Sequence, residues 1–269
     1  MTPYEFARDD ALPAALDGFR VAWDEAHACA EIVLDRPPLN VVSMRQRDQL
    51  AAAFAALDRD PAVRIVVLRG EGKNFSSGGN IAGFLEASPE QLSHLADNVA
   101  APERSGKPVI AAVRGYCFGV GFELALACDF RIASETAEFA LPEMRIGMIP
   151  GSGGSARLAA MVGIARAKEI AMRSRRIKAR EAADWGIVAE CVPDAELEGA
   201  VARLAGELGS FSPLAQRTLK RVLNDGQSMA MGAAIALEGR AFGRLRSSAD
   251  FKEGVASFVE KRKPVFRGD

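Results

Sequence analysis

Residues 107–134 read KPVIAAVRGYCFGVGFELALACDFRIAS and combine an apolar strand, a glycine-rich turn and a short helix. The pattern predicts a strand at 108–113, a turn at 115–121 and a helix that carries Glu123 in its first turn. Glycine lets the backbone approach a ligand closely, and a helix N-terminus presents free N–H groups with a partial positive charge. The turn is therefore suited to hold a developing oxyanion.

The glycine-rich stretches also have competing interpretations. A dinucleotide fingerprint, GxGxxG, would need a third glycine where Leu124 stands, and no acidic residue closes a second strand about 20 positions later. The loop 74–81, NFSSGGNI, follows an apolar strand and fits either an ordinary turn or a ligand-binding loop. The loop 150–155, PGSGGS, resembles a phosphate cradle, but it lacks the Gly-Lys-Ser/Thr of a Walker motif, which argues against nucleotide hydrolysis.

Outward from these stretches, strand patterns alternate with helix patterns and predict an α/β fold. The predicted strands are 19–23, 28–35, 64–69, 129–134 and 137–142, and the predicted helices are 43–57, 88–101 and one beginning near Ser155. From residue 193 onward the pattern is almost wholly helical, as expected for an appended module. We therefore divide the chain into an N-terminal extension (1–18), a core (19–192) and a C-terminal helical region (193–269).

The composition excludes several classes of function. The chain has 269 residues, 49% of them hydrophobic, and a net charge of -1, so it offers no strong field for nucleic acid. Its four cysteines are far apart, which argues against a zinc site or a disulfide framework and favours a reducing compartment. The polar N-terminus and the lack of an apolar run of about 18 residues favour a cytoplasmic protein that does not span a membrane.

Histidine chemistry is also disfavoured. The two histidines are His27, in a predicted strand, and His94, in a predicted exposed helix, and both are expected to be structural or surface residues. A Ser-His-Asp triad or a histidine-rich metal site is therefore not predicted.

Two glutamates remain as candidates for acid/base chemistry. Glu123 and Glu143 lie in apolar surroundings, where an ionised carboxylate is costly to bury. Taken one at a time, each is more simply explained as a helix N-terminal charge or as the partner of an arginine such as Arg131 or Arg145. If both occupied one water-poor pocket, their pKa values would be driven apart, leaving one as base and the other as acid.

Several motifs in order resemble those of the crotonase (enoyl-CoA hydratase/isomerase) superfamily, over roughly residues 19–267. They are RPPLN (36–40), FSSGGNI (75–81), the stretch 107–134, FALPEMRIGMIPGSGGSARL (139–158) and EKRKPVFRG (260–268). The resemblance implies a spiral of stacked ββα units with a C-terminal helical region used in trimerisation. It also implies a homotrimer or a dimer of trimers, and an acyl-CoA substrate with no metal or further cofactor.

The resemblance also assigns roles to individual residues. It implies that Glu123 activates the attacking water, that Glu143 delivers the proton to the α carbon, and that the Gly151 N–H helps to position the second glutamate or the water. The N–H groups of Gly79 and Val120 would form the oxyanion hole. Coenzyme A would bind along Leu39, Lys73, Gly79, Asn80 and Ile81, with a contribution from the basic residues Lys261 and Lys263.

Departures from the family pattern affect substrate fit more than the type of reaction. Asn80 replaces a common aspartate, Val120 a common glycine, and Ala82 a frequent lysine. The implied activity is hydration of an enoyl-CoA. The alternatives are an enoyl- or dienoyl-CoA isomerase that uses Glu143 alone, an acyl-CoA hydrolase or C–C cleaving enzyme, and a non-catalytic acyl-CoA-binding subunit. Three residues hint at an apolar or aromatic acyl group, namely Phe84, Leu85 and Phe122.

Overall fold

In the computed structural model of the chain, which describes residues 1–7, 12–13 and 15–269, two sheets carry the core. The strands of these residues are β1 (Thr2–Pro3), β2 (Phe19–Asp24), β3 (Cys29–Leu34), β4 (Ile65–Gly70), β5 (Val109–Val113), β6 (Tyr116–Phe118), β7 (Phe130–Ser134), β8 (Glu138–Ala140), β9 (Ile177–Lys178) and β10 (Glu190–Val192). The larger sheet has the order β1-β2-β3-β4-β5-β7-β10, and the smaller one the order β6-β8-β9.

The larger sheet is antiparallel from β1 to β3 and parallel from β3 to β10. In the smaller sheet β6 pairs parallel with β8, and β9 pairs antiparallel with β8. Single parallel bridges, Val42 with Gly79 and Ser76 with Cys117, continue this second layer into earlier parts of the chain. Each turn of the chain thus contributes to both layers before it enters a helix, and the expected α/β fold of stacked ββα units is confirmed.

The helices surround these layers. They are α1 (Met44–Arg59), α2 (Ile81–Phe84), α3 (Pro89–Ser93), α4 (Leu95–Val99), α5 (Ala101–Arg104), α6 (Val120–Ala127), α7 (Gly154–Ala171), α8 (Ala179–Asp184), α9 (Leu197–Gly209), α10 (Pro213–Gly226), α11 (Met231–Leu245) and α12 (Ala249–Glu260). A capping box between Ser43 and Gln46 fixes the start of α1. In the part of the chain that is described, no helix is both long and apolar enough to cross a membrane.

The parallel strands are buried on both faces, as their nearly continuous apolar sequences require. Strand β5 shows this by alternation: Val109, Ala111 and Val113 join the larger core cluster, whereas Ile110 and Ala112 pack in a second cluster with residues of α9. The larger cluster includes residues of α1 and α6. The loops that follow the strands on that side carry the candidate site.

Three local predictions were wrong. His27 lies in a 3-10 helix (Glu25–His27), not in a strand, because the Asp24 carboxylate caps the turn by accepting the Ala26 N–H. The turn predicted at 115–121 contains β6, because the backbone around Cys117 pairs with Ser76 and with β8.

The single helix predicted at 88–101 is divided into α3, α4 and the start of α5. The exposed His94 separates α3 from α4, and α4 alone of those two helices buries apolar side chains, those of Leu95 and Val99. Within the N-terminal extension, β1 pairs with β2. Residues 8–11 and 14 of that extension lie outside the described residues, and the division into three regions stays a prediction.

Candidate active site

Glu123 is held at the start of α6 and is only 2% exposed. Its Oε1 accepts hydrogen bonds from the backbone N–H groups of Ser152 (2.8 Å) and Gly154 (3.0 Å). Gly154 is the first residue of α7, so the positive end of that helix also faces the carboxylate. Among the described residues, no hydrogen bond is donated to Oε2 of Glu123.

Glu143 begins a 3-10 helix (Glu143–Ile146) that follows β8 and Pro142. Its Oε1 lies against the turn that precedes α6, where a Cβ placed on Gly119 would be 3.0 Å away. Gly119 has a φ of 51°, so a glycine suits this position both for its backbone conformation and for the close approach of the glutamate. The fold therefore brings Glu143 to the helix that carries Glu123.

The two carboxyl groups have unequal surroundings. Oε2 of Glu143 is buried and has no hydrogen-bond partner among the described residues. Burial, and secondarily the charge of Glu123, raises the pKa of Glu143 to about 7, although its own backbone N–H opposes the shift. Glu123, in contrast, receives two backbone donors. The geometry thus favours a protonated Glu143 beside a Glu123 carboxyl group that accepts two backbone N–H groups.

Neither glutamate forms the arginine ion pair considered from the sequence. Arg131 instead donates hydrogen bonds to the carbonyls of Ile187, Ala125 and Cys128. No salt bridge joins Arg145 to Glu143 in the described part of the chain. A purely structural explanation that relies on such pairs is therefore wrong for both carboxylates.

The donors to Glu123 are Ser152 and Gly154, which the sequence analysis did not identify. The loop 150–155 was recognised as glycine-rich, but the residue predicted to position a group there was Gly151. The structure gives no hydrogen bond from Gly151 to either glutamate, and a role for its N–H toward a water stays a prediction. Gly154 also has to be small, because a Cβ there would lie 2.8 Å from Cγ of Glu123.

Gly79 and Val120 lie close together. Val42 donates its N–H to Gly78 (2.9 Å) and accepts that of Asn80 (3.0 Å), so the backbone groups of Gly79 point to the opposite edge. Val120 is the first residue of α6, and its N–H has no acceptor within the helix. A Cβ on Gly79 would be 3.7 Å from Val120 Cγ1. The bridge to Val42 does not use the N–H of Gly79, and α6 does not use that of Val120; their role as an oxyanion hole stays a prediction.

The residues predicted to bind coenzyme A lie on two joined loops. Ser77 donates its N–H to the carbonyl of Leu39 (2.8 Å), and the Asn74 side chain donates to that of Pro38 (3.0 Å). The predicted residues themselves are exposed or half-exposed: Leu39, Lys73, Gly79, Asn80 and Ile81. Lys261 and Lys263 are exposed after α12. These assignments stay predictions.

Of the three residues predicted to favour an apolar or aromatic acyl group, only Phe84 lies at the candidate site. Phe84 is half-buried, and its Cζ would be 3.2 Å from a Cβ on Gly79, so it lies at the candidate site. Leu85 is 91% exposed. Phe122 is fully buried and packs against Phe139 with ring centroids 5.2 Å apart, which makes it a core residue.

The raised pKa of Glu143 predicts a pH-dependent stability. The folded chain keeps this proton up to about pH 7, whereas the unfolded chain releases it near the ordinary value of 4.5, so the contribution is complete below 4.5 and is lost as the pH rises to about 7. Glutamine carries no charge at any pH. We expect Glu143→Gln to stabilise the fold by roughly 1–2 kcal/mol more at about pH 8 than at about pH 4, after allowance for the partial exposure of the group. Urea unfolding of both proteins at both pH values measures this, and an equal difference at both would contradict it.

Comparison with known proteins identifies the family of the chain. A family model described as "Enoyl-CoA hydratase/isomerase" matches residues 24–269. The chain belongs to this family, and hence to the crotonase superfamily that its motifs resemble. It is an enzyme of the hydratase type.

Individual relatives cover most of the chain. A "Probable enoyl-CoA hydratase" of Rhizobium meliloti is 41% identical over 244 residues, which are 88% of this chain and 93% of the relative. A "Carnitinyl-CoA dehydratase" of Salmonella enteritidis is 37% identical over 246 residues, 88% of this chain and 94% of the relative. A solved enoyl-CoA hydratase structure from Geobacillus kaustophilus superposes with a TM-score of 0.89 at 36% identity, over 94% of this chain and 99% of that one.

Proposed function

We propose that the chain catalyses the reversible addition of water to a 2-enoyl-CoA thioester. The observation that carries this proposal is the pairing of two glutamates in unequal surroundings: Glu123 with two backbone donors, and Glu143 with a buried, unpaired oxygen and a pKa of about 7. Hydration needs one base and one acid at adjacent carbons, and this pair supplies both.

In the proposed reaction, Glu123 accepts a proton from water while the water oxygen bonds to C3 of the substrate. Electron density moves to the thioester oxygen, where the N–H groups of Gly79 and Val120 would stabilise the negative charge. Glu143 then gives its proton to C2, which completes the 3-hydroxyacyl-CoA. Proton exchange between the two carboxyl groups restores the starting state, and no metal or redox cofactor takes part in these steps.

Coenzyme A is proposed to lie along the joined loops that carry Leu39 and Lys73, and the acyl group to reach Phe84. The dehydratase name of one relative supports operation in the reverse direction as well, since a hydratase and a dehydratase share one equilibrium. Phe84 beside Gly79 supports an apolar acyl group, as in fatty or aromatic acid metabolism. The cytoplasmic location expected from the sequence stays a prediction.

We also propose that the enzyme is a homotrimer or a dimer of trimers. The C-terminal helices α10, α11 and α12 support association, because they leave large apolar side chains uncovered. These include Leu219, Leu223, Ile235, Phe242, Phe258 and Val259.

The activity is tested by incubating the protein with trans-2-enoyl-CoA thioesters that carry short, long, branched and aromatic acyl groups. We expect loss of the conjugated enoyl absorbance and formation of 3-hydroxyacyl-CoA without release of free thiol. A 3-enoyl-CoA serves as the substrate for isomerisation, and thiol release from 3-hydroxy- and 3-ketoacyl-CoA reports hydrolysis or C–C cleavage. Isomerisation or thiol release faster than hydration on every acyl group would contradict the proposal.

A further inference from the structure

Arg47, on α1, is a buried arginine that has no part in the proposed reaction steps. It is 3% exposed, and no salt bridge joins it to a carboxylate in the described ranges of the chain. Its Nη1 donates to Oγ of Ser152 (3.0 Å), while its buried Nε has no hydrogen-bond partner among the described residues. A buried guanidinium without a carboxylate partner is costly, so its surroundings indicate what it does.

The surroundings of Arg47 are those of the candidate active site. Its Nη2 would be 3.1 Å from a Cβ on Gly79, and its guanidinium lies 5.6 Å from the centre of the Phe84 ring. Burial lowers the pKa of Arg47, and the negative charges of Glu123 on α6 and Asp48 on α1 oppose that shift. Since Asp48 is exposed, Glu123 is the buried counter-charge.

Ser152 connects Arg47 to Glu123. This residue is 2% exposed, and each of its polar groups has one partner. Its Oγ accepts from Arg47, its N–H donates to Glu123 Oε1 (2.8 Å), and its carbonyl accepts from Nη1 of Arg157 (3.0 Å). The N–H that contacts Glu123 is therefore held in place from two sides.

The two arginines on Ser152 differ in charge compensation. Arg157 forms an ion pair with Glu103, with Nε and Nη2 at 2.7 Å and 2.6 Å from Oε2. Arg47 has no such pair, so its positive charge is left to act on Glu123. The charged and polar groups that face Glu123 are thus Arg47 from α1, Glu143 from its 3-10 helix and the N–H groups at the start of α7.

We propose that Arg47 is a positioning residue for the hydration reaction: it holds Ser152 against Glu123, and it places a positive charge beside the Glu123 carboxylate. The inference rests on the proposed function. It adds a group from α1 to a site otherwise built from the loops after the strands and from the first turns of α6 and α7.

The test compares Arg47→Gln and Arg47→Lys with Arg157→Gln and with Arg45→Gln, which removes an exposed charge from the same helix. Arg47→Gln is expected to lower kcat by on the order of 10²-fold and to move the acidic limb of the kcat/KM profile to higher pH, because ionised Glu123 loses a stabilising charge. Arg47→Lys keeps the charge, so it should restore the position of that limb but only part of kcat. Arg157→Gln should lower kcat without moving the limb, and Arg45→Gln should match the wild type.

A second measurement does not depend on turnover. Infrared titration of the free protein, with Glu123→Gln to assign the band, follows ionisation of Glu123 directly and should shift upward in Arg47→Gln. If both the kinetic limb and the infrared titration stay at their wild-type positions in correctly folded Arg47→Gln, the inference is wrong. If Arg47→Gln fails to fold, Arg47→Lys provides the test. A shift of the acidic limb of its kcat/KM profile would contradict the inference, because this variant keeps the positive charge. Absence of hydration by the wild type would instead contradict the proposed function, while the infrared shift would still test Arg47.

Discussion

Replacing Glu143 by glutamine is expected to reduce kcat for hydration by about 10²–10⁴-fold, and Glu123→Gln should do the same. Glutamine keeps the size of each side chain but can neither release the proton needed at C2 nor accept the one from water. The surroundings of Glu143 also predict how kcat/KM for hydration changes with pH. Because Glu143 must be protonated to act as the acid, and its pKa is about 7, kcat/KM for hydration should fall as the pH rises through that value. Because the overall reaction takes up no proton, its equilibrium does not depend on pH, and kcat/KM for dehydration should fall over the same pH range.

Initial rates with an enoyl-CoA thioester measure these effects, and Glu135→Gln is the matched control, because Glu135 is an exposed carboxylate just before β8. The double variant should lose little more than either single one, since the two groups act as a unit. Retention of near-wild-type hydration by both single variants would exclude the assigned pair. Loss of hydration with isomerisation preserved in Glu123→Gln would instead support an isomerase that uses Glu143 alone.

The sequence predicted well those elements whose periodicity is set by burial. Strand β4 was placed to within one residue at each end, and α1 to within two, because their apolar residues follow the period of a buried strand and of an amphipathic helix. The errors arose where tertiary pairing overrides local pattern. The sequence around β6 has the pattern of a glycine-rich turn. In the fold, its backbone forms a strand because it pairs with Ser76 and with β8.

For the site, the motifs identified Glu123 and Glu143, but their surroundings could not be derived from a linear pattern. The donors to Glu123 are backbone groups, and any residue type except proline carries an N–H. The burial that raises the pKa of Glu143 arises in the fold, which also places this residue against the turn at Gly119, 24 residues earlier (143 − 119 = 24).

Arg47 was missed although the sequence contains a signal for it. The buried face of α1 includes Leu50, Phe54 and Leu57, and position 47 continues that face one turn earlier, at a spacing of three. A charged residue on the apolar face of an amphipathic helix is unusual enough to be examined as a functional candidate. What it contacts, Ser152, lies 105 positions away in the chain and requires the fold.

Val120→Pro is expected to reduce kcat by on the order of 10²–10³-fold, because it deletes one of the two N–H groups proposed to stabilise the thioester oxyanion. Position 120 allows this substitution better than most, since proline is favoured at the first residue of a helix, where the N–H has no intrahelical acceptor. The preceding residue is Gly119, which tolerates the restrictions that proline imposes on its neighbour. Val120→Ala is the matched control: it removes side-chain bulk and keeps the N–H, so it should retain most of the activity.

The same pair of variants separates loss of the donor from a blocked pocket. An oxyanion forms only during the reaction, so the missing donor should lower kcat much more than it weakens binding of a saturated acyl-CoA, which calorimetry measures. A proline ring that merely obstructed the thioester would weaken that binding to a similar degree. If folded Val120→Pro hydrates as fast as Val120→Ala, the backbone at this position is not an oxyanion donor. The negative charge on the thioester would then have to be stabilised by Gly79 with another group, and the nearby uncompensated guanidinium of Arg47 would be the first to test.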